Sequence, residues 1–367
     1  MKSKRPTITD VAQQAGVSKS TVSAVLNDSG AVKTSTRDRV LAVMEELNYR
    51  PSGRAGRIGV RKGGCIGLLI KETDNPYYAE IAAGVRKHAD KMGATVLVTS
   101  SEGEYDAERR AVEVLQAKDV DGLIITPVLD DQTDLSHLFE LKRRNFPFVL
   151  LEEIRGVQAN LVDIDNVEAS CRAVSYLIEQ GHTQIVHFAG PAYSTHSQER
   201  IDGVRRAYSE SSLIFNDEVV AEAGAHLADG YRAGLAYFGE RPASDRPTAA
   251  TCYNDLVALG VLRALRELGL RVPEDVSLVG CDDIPLLDYL PLPLTSIRVP
   301  KFEMGEVAAR MLLRQIESPE SIPPQKVYLQ AELILRESTR SLLEDEARVP
   351  AGAVSGMAAD HPSRAPP

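Results

Sequence analysis

Apolar positions in the first fifty residues recur at helical spacing rather than at the alternation of a strand. Ile8, Val11, Ala12 and Ala15 line one face of a helix over 9–15, with Thr7 or Thr9 available as its cap, and Gly16 turns the chain. Ser18 can cap a second helix running to Leu26, in which Val22, Val25 and Leu26 face inward. Lys19, Ser20, Thr21, Ser23 and Ala24 are then left on its outer face. A third helix opens at Thr34 or Ser35, buries Val40, Leu41, Met44 and Leu47, and ends at Pro51. Two helices joined by a short glycine-containing turn, the second with small polar and basic groups at its start, match the helix-turn-helix arrangement that enters the major groove of DNA.

The pattern changes at Cys65. The runs CIGLLI, TVLVT, GLIIT and FVLL read as buried parallel strands, with helices over 77–92, 107–117 and 135–143 between them. A second series follows: QIVHFAG, AATCY and VSLVGCD as strands, and 167–179, 198–208, 229–238 and 255–268 as helices. This alternation predicts two α/β sheets.

Charge sharpens the division. Residues 1–64 hold 12 Lys and Arg against 5 Asp and Glu, a net of +7, and the remainder holds 30 against 47, a net of −17. The overall charge of −10 therefore combines a basic head with an acidic body. Such asymmetry implies that the head alone meets a polyanion, from which the body is repelled.

At 367 residues the chain is long enough for a small head and one or two core-bearing domains. Cys65, Cys171, Cys252 and Cys281 are far apart and form no Cys-x-x-Cys pair, which favours buried thiols over disulfides or zinc. No run approaches the ~18 apolar residues of a membrane span, and MKSKRP leads into a polar helix rather than a signal-peptide core. A cytoplasmic, nucleoid-associated protein is expected. No phosphate loop, dinucleotide fingerprint, Gly-x-Ser-x-Gly or metal spacing is present, so neither cofactor nor metal is expected. Asp282 and Asp283 are adjacent carboxylates, but neighbours at a strand end point apart, whereas a two-carboxylate hydrolase needs them converging about 5–9.5 Å apart. The expectation is no enzyme.

Taken together, TITDVAQQAGVSKSTVSAVLN, NYRPS, DNPYYAEIAAGV, DGLII, LIEQGHTQIVHFAGP, RIDG, YNDLVALGVLRAL, VPEDVSLVGCDDIP and PLTSI, in this order, resemble the lactose repressor family of transcription regulators. The resemblance extends to about residue 340. It implies a small all-α helix-turn-helix headpiece over 1–51, a hinge over 52–64, and an α/β body over 65–340 made of two doubly wound lobes resembling a type I periplasmic binding protein. The lobes would span about 65–162 with 292–322, and 163–291 with 323–340, so that the chain crosses near Val162, Leu292 and Pro323. The tail over 341–367 lacks leucine heptads and reads as disordered, which favours a homodimer over a tetramer.

The same resemblance places functions on residues. Lys19 and Ser20 match the two base-choosing positions, and Lys can donate to guanine O6 and N7. Ala24 stands where arginine is frequent in the family. Thr7, Thr9, Ser18, Thr21, Ser23, Asn27, Lys33 and Thr36 would position phosphates, with some base contact from Thr9 and Thr21. In the hinge, Ile58 occupies the position of a leucine that wedges into the minor groove. Gly53, Gly56 and Gly59 disfavour a hinge helix by about 1 kcal/mol each. Arg54, Arg57, Arg61 and Lys62 can instead bind phosphates without one.

In the body, Arg200, Asn254 and Asp282 match polar groups that hold a small-molecule effector between the lobes, and Glu152 stands where sugar-binding members often have aspartate. Such groups suit a polyol, whose hydroxyls meet carboxylates and a guanidinium fork. Tyr77 and Tyr78 either stack on the ligand or pack under the sheet. Val299 stands where some members have a hydrogen-bonding glutamine. Ser194 and Ala225 stand where purine-binding members have an arginine and a stacking aromatic, which favours a carbohydrate-like effector over a nucleobase co-repressor. A stand-alone sugar-binding protein would lack the basic head. The expected function is a ligand-controlled repressor of near-palindromic double-stranded DNA.

Overall fold

The computed structural model describes residues 7–26, 32–47, 64–129, 134–317 and 323–343. Among the described residues the headpiece has three helices, α1 (Ile8–Ala15), α2 (Lys19–Leu26) and α3 (Thr34–Glu46). Thr7 precedes α1 as its N-cap residue, and its backbone N–H and hydroxyl both donate to the Asp10 carboxylate at 2.7 Å. Gly16 takes the left-handed conformation, φ 64°, that a side chain would resist, and so ends α1 within one residue. Val11, Ala12, Ala15, Val22, Val25, Leu26, Val40 and Val43 form the core. The expected phase of α3 needs correction, because Leu41 is 38% exposed and Val43 is buried in its place. With 3.6 residues per turn, Val40, Val43, Met44 and Leu47 share a face that Leu41 leaves by about 100°.

The chain forms two units, Met1–Asp163 with Pro300–Leu329, which includes the headpiece, and Ile164–Val299 with Gln330–Pro367. The sheet of the first contains β1 (Cys65–Ile70), β2 (Thr95–Ser100), β3 (Gly122–Ile125), β4 (Phe148–Leu150), β5 (Asn160–Ile164) and β11 (Lys326–Leu329), in the order β11-β5-β4-β3-β1-β2. Strands β1 to β5 pair in parallel. On one face, Leu69, Leu123, Ile125 and Leu150 are buried with residues of α5 (Tyr105–Ala117) and α6 (Ser136–Arg143). The other face carries α11 (Lys301–Glu317), whose Leu312 reaches Gly122, and α4 (Pro76–Lys91) packs against α11. Strand β2 is not the buried strand expected from TVLVT. It is the sheet edge, and Val98 is 54% exposed.

The second unit repeats the plan. Its strands β6 (Ile185–Ala189), β7 (Val220–Glu222), β8 (Ala249–Cys252), β9 (Ser277–Asp282), β10 (Thr295–Arg298) and β12 (Glu332–Ile334) run in the order β12-β10-β9-β8-β6-β7. Among the described residues of this sheet only the β10–β12 pairing is antiparallel. Its helices are α7 (Asn166–Glu179), α8 (Thr195–Ser209), α9 (Leu227–Gly239) and α10 (Asp255–Glu267). The four cysteines are free and buried.

The second and third crossings lie later than Leu292 and Pro323, at 299/300 and 329/330. Strand β10 pairs with β9 before the chain leaves the second unit. Strand β11 adds beside β5, where the Leu161 N–H donates to the Gln325 carbonyl at 2.9 Å, before the chain returns.

The α4–α11 crossing depends on two glycines. A Cβ on Gly84 would run into the Phe302 carbonyl, and one on Gly305 into the Ile81 carbonyl, so the helix backbones touch. Gly84→Ala should therefore destabilise the first unit by about 1–3 kcal/mol, read as a lower denaturation midpoint. An unchanged midpoint would show that the helices can separate without cost.

Candidate functional site

At the headpiece surface, the start of α2 carries a cluster of hydroxyls. Ser18 Oγ accepts from the Thr21 N–H at 3.1 Å and lies 2.7 Å from Ser20 Oγ and 2.8 Å from Thr21 Oγ1. Ser18 is thus a capping residue as well as a surface group, and it fixes the rotamers of its two neighbours. Lys19 projects from the same turn and is exposed, as are Thr9 and Lys33, while Thr21, Ser23 and Thr36 are half-buried. Thr7 is exposed, but its hydroxyl hydrogen goes to Asp10. Asn27, Arg54 and Ile58 lie outside the described residues, as does the expected hinge up to residue 63.

In the first unit the polar groups gather just beyond the carboxyl ends of the parallel strands, where α/β folds bind ligands. Glu152 follows β4 and is 1% exposed, and its Oε2 meets Lys71 Nζ, from the end of β1, at 2.5 Å. Asn75 caps α4 by accepting from the Tyr77 N–H at 3.0 Å, which places the two tyrosines in the first helical turn. Their rings meet edge to face, with centroids 5.1 Å apart. Tyr78 is buried and serves packing, whereas Tyr77 is half-buried and its hydroxyl faces Met304 Sδ at 3.9 Å.

In the second unit Arg200 is buried on α8. Its Nε donates to Asn166 Oδ1 at 3.1 Å, its Nη1 donates to the Tyr253 carbonyl, and its guanidinium lies 4.8 Å from the centre of the Tyr253 ring. The cation is thereby aimed by neutral groups at the ends of α7 and β8. Ser194 caps α8, accepting from the Ser197 N–H at 3.4 Å, and its hydroxyl lies 3.3 Å from that of Tyr253. Asn254 caps α10: Oδ1 accepts from the Val257 N–H at 2.8 Å, and Nδ2 donates to the Ala225 carbonyl at 2.8 Å. One amide hydrogen of Asn254 remains beyond these two bonds.

Asp282 ends β9 with φ 116°, and Asp283 follows with φ 55°. Non-glycine residues in this region cost on the order of 1–3 kcal/mol and persist only where the surroundings hold them. The supports are visible. Asp255 is fully buried and accepts from the Ile284 N–H at 2.8 Å and the Ser296 hydroxyl at 2.6 Å, and that hydroxyl also receives the Asp283 N–H at 3.1 Å. Asp283 forms ion pairs with Arg298 and Arg336, each at 2.7 Å. Val299 is buried, and its N–H donates to the Asp282 carbonyl at 3.4 Å.

Lys71, Asn166, Tyr253 and His187 are the site-region residues that sequence reasoning missed. The available signal was a charged or polar group directly after an apolar strand run, which applies to Lys71 and Tyr253. His187 is buried on β6, with Nδ1 2.9 Å from Thr251 Oγ1. Burial, reinforced by the charge on Arg200, lowers its pKa to about 3, so the imidazole is neutral at working pH. Among the described residues no group of three or more His, Cys, Asp or Glu could hold a metal ion, and no helix is long and apolar enough to cross a membrane.

Comparison with known proteins covers both parts. Residues 7–52 match the bacterial regulatory proteins of the lacI family, and residues 174–339 match a periplasmic binding protein-like domain. The HTH-type transcriptional repressor PurR of Vibrio vulnificus is 33% identical over 341 residues, 92% of this chain and 99% of that protein. The ribose operon repressor of Halalkalibacterium halodurans is 33% identical over 334 residues, 91% of this chain and 97% of its own. Among solved structures, the lac repressor dimer bound to operator and the anti-inducer ONPF is 30% identical with a TM-score of 0.69, covering 92% of this chain and 100% of that one. The complex of the transcriptional regulator CelR with cellobiose is 30% identical with a TM-score of 0.68, covering 91% and 100%.

A neutral buried His187 fixes the sign of a pH effect. The unfolded chain takes up a proton near the ordinary histidine value of 6.5, and the folded chain does so only near 3, so this contribution is complete above 6.5 and lost as pH falls toward 3. Between pH 6.5 and 5.5 the wild type should lose stability with a slope approaching 1.4 kcal/mol per pH unit from this group, about one proton's worth. His182, lowered by burial in the same direction, adds to it. His187→Gln should flatten the slope in denaturant titrations, and parallel slopes in the two proteins would place a charged histidine in the fold.

Proposed function

The chain belongs to the lacI family of bacterial regulatory proteins and is a DNA-binding transcriptional regulator, and from that premise we propose a repressor that acts as a homodimer on a near-palindromic operator under the control of a small carbohydrate-like effector. The observation that carries the DNA reading is the start of α2, where Lys19 projects beside hydroxyls fixed by Ser18. In this reading Lys19 and Ser20 choose bases. Thr7, Thr9, Ser18, Thr21, Ser23, Asn27, Lys33 and Thr36 hold phosphates, and Arg54 and Ile58 extend the contact into the minor groove. A homodimer is supported by apolar surface that a second copy would cover. Val98 on the edge strand and Val114 on α5 are 54% and 56% exposed, and Tyr289 in the 3-10 turn Pro285–Tyr289 is 84% exposed. Such a protein works in the cytoplasm, on the nucleoid.

In the second unit Arg200, Asp282 and the remaining amide hydrogen of Asn254 offer mixed donors and acceptors of the kind that hydroxyls need, and Glu152 and Tyr77 offer them in the first. A nucleobase is the second reading, favoured by the 33% identity to a PurR protein. The carbohydrate is preferred because Ser194 offers a hydroxyl already shared with Tyr253, and Ala225 offers no ring. Catalysis is not assigned, since Asp283 is held by two arginines instead of converging with Asp282 on a bond. Differential binding of effector between two states typically changes DNA affinity by about 1–3 kcal/mol, enough for a switch.

In vitro selection of the full-length protein on random duplex DNA tests the reading. Enrichment of a palindrome is expected, and Lys19→Ala should relax preference at one position of each half-site while leaving binding to unrelated duplexes nearly unchanged. Equal weakening on all sequences would make Lys19 a phosphate clamp, and no enrichment at all would remove the operator-specific role.

A further inference from the structure

The connection from β6 to α8 holds one tyrosine out in the open. The Ser194 N–H donates to the Pro191 carbonyl at 3.0 Å and closes a turn in which Tyr193 takes the third place. Gln198 Nε2, from the first turns of α8, donates to the Ala192 carbonyl at 2.8 Å. The residue before the turn and the residue that ends it both rest on Tyr253. A Cβ on Gly190 would fall 2.5 Å from the Tyr253 ring, so the backbone lies directly on that ring, and the Ser194 hydroxyl is 3.3 Å from the Tyr253 hydroxyl. The turn is thus braced at both ends.

Tyr193 itself is 52% exposed, and among the described residues its ring meets no other ring or cation and its hydroxyl makes no hydrogen bond. Single exposed apolar groups are ordinary on a protein surface. The mounting of this one is not. Tyr253, which braces the turn, also accepts from Arg200 Nη1 through its carbonyl, has its ring 4.8 Å from the Arg200 guanidinium, and is followed directly by Asn254. A rigid aromatic face is therefore displayed beyond the carboxyl end of β6, where parallel sheets bind ligands, on the support that also holds Arg200. Its turn is ordered before any ligand arrives, so a ligand that covers the ring gains buried apolar area at little ordering cost.

We propose that Tyr193 is a specificity-determining, effector-binding residue that stacks on the apolar face of a sugar ring, and that the effector is a sugar in the hexopyranose form. A pyranose with mostly equatorial hydroxyls has faces made of axial C–H groups. Such a face matches a phenol ring in size and leaves the hydroxyls at its edge to meet donors and acceptors. A furanose is smaller and puckered, and it offers less flat apolar area. An anion gains nothing from the ring, whose face carries the negative part of its quadrupole. The inference rests on the reading of a carbohydrate-like effector and narrows it to one ring form.

Calorimetric titration of the full-length protein tests it. The probes are methyl β-glucoside, methyl β-galactoside and cellobiose as pyranoses, methyl β-ribofuranoside as a locked furanose, and hypoxanthine as a nucleobase. For the tightest pyranose, Tyr193→Ala should weaken binding about tenfold and Tyr193→Phe by no more than about twofold, because the ring and not the hydroxyl makes the contact. The chain has no tryptophan, so Tyr193→Trp introduces a single indole, whose emission should shift to the blue on saturation with the same sugar. The ring is exposed, so the denaturation midpoint and sedimentation of Tyr193→Ala should match the wild type. Equal affinity of wild type and Tyr193→Ala for a pyranose, or an indole emission unmoved by it, would overturn the role of Tyr193 and leave the carbohydrate reading in place. A loss as large in Tyr193→Phe would make the hydroxyl the contact and overturn the stacking. Tighter binding of the furanoside, or binding of none of the pyranoses, would overturn the hexopyranose assignment. Altered sedimentation of Tyr193→Ala would give the ring to a contact between copies of the chain and overturn its place in ligand binding. Binding of hypoxanthine alone would remove the carbohydrate reading and the inference with it.

Discussion

Charge taken out of water must be held by a partner, and the strand ends of both units are built around that requirement. Glu152 is held by Lys71, Asp255 by a backbone N–H and a hydroxyl, and Asp283 by Arg298 and Arg336. Arg200 is aimed by the Asn166 side chain and the Tyr253 carbonyl. Left unpaired, any one of these ions would cost several kcal/mol or change its protonation state. His187 shows the second outcome, a buried imidazole kept neutral. The supports come from neighbouring strands and helix starts, so the polar groups are only as well placed as the parallel sheets beneath them.

That dependence explains why the fold spends strain where it does. The left-handed backbone of Asp282 and Asp283 turns the chain sharply at the end of β9, and Asp255 and the two arginines hold that turn. Helix starts perform a parallel task. Asn254, Ser194 and Asn75 each cap a helix that follows the carboxyl end of a strand. A substitution that removes the capping oxygen at any of them would cost its helix about 0.5–2 kcal/mol.

Much of this was legible in the residues. The headpiece is built from local contacts, so helical spacing, Gly16 and Ser18 marked its elements, and the one error of phase, Leu41 for Val43, came from choosing a face within a single short helix. Strand runs such as CIGLLI and VSLVGCD announced the sheets because both faces are buried. Strand order was not legible, so the edge position of β2 and the late crossings after β10 and β11 were missed, since pairing partners are distant in sequence. The same limit hid the ion pair: Lys71 follows an apolar run like any solvated lysine, and its partner lies 81 residues away. Resemblance marks Asn254 as a ligand group, and the structure adds two bonds, to the Val257 N–H and the Ala225 carbonyl, that occupy half of its amide.

A ligand-controlled regulator couples ligand binding in the body to DNA binding in the headpiece. The most direct measurement is the affinity of the full-length protein for its selected duplex with and without saturating effector, alongside the affinity for effector with and without duplex. Coupling of the usual size changes each affinity by roughly 5–150-fold, equally in the two experiments, as linkage requires. Effector binding that leaves duplex affinity unchanged, at every salt concentration where specific binding is measurable, would contradict it.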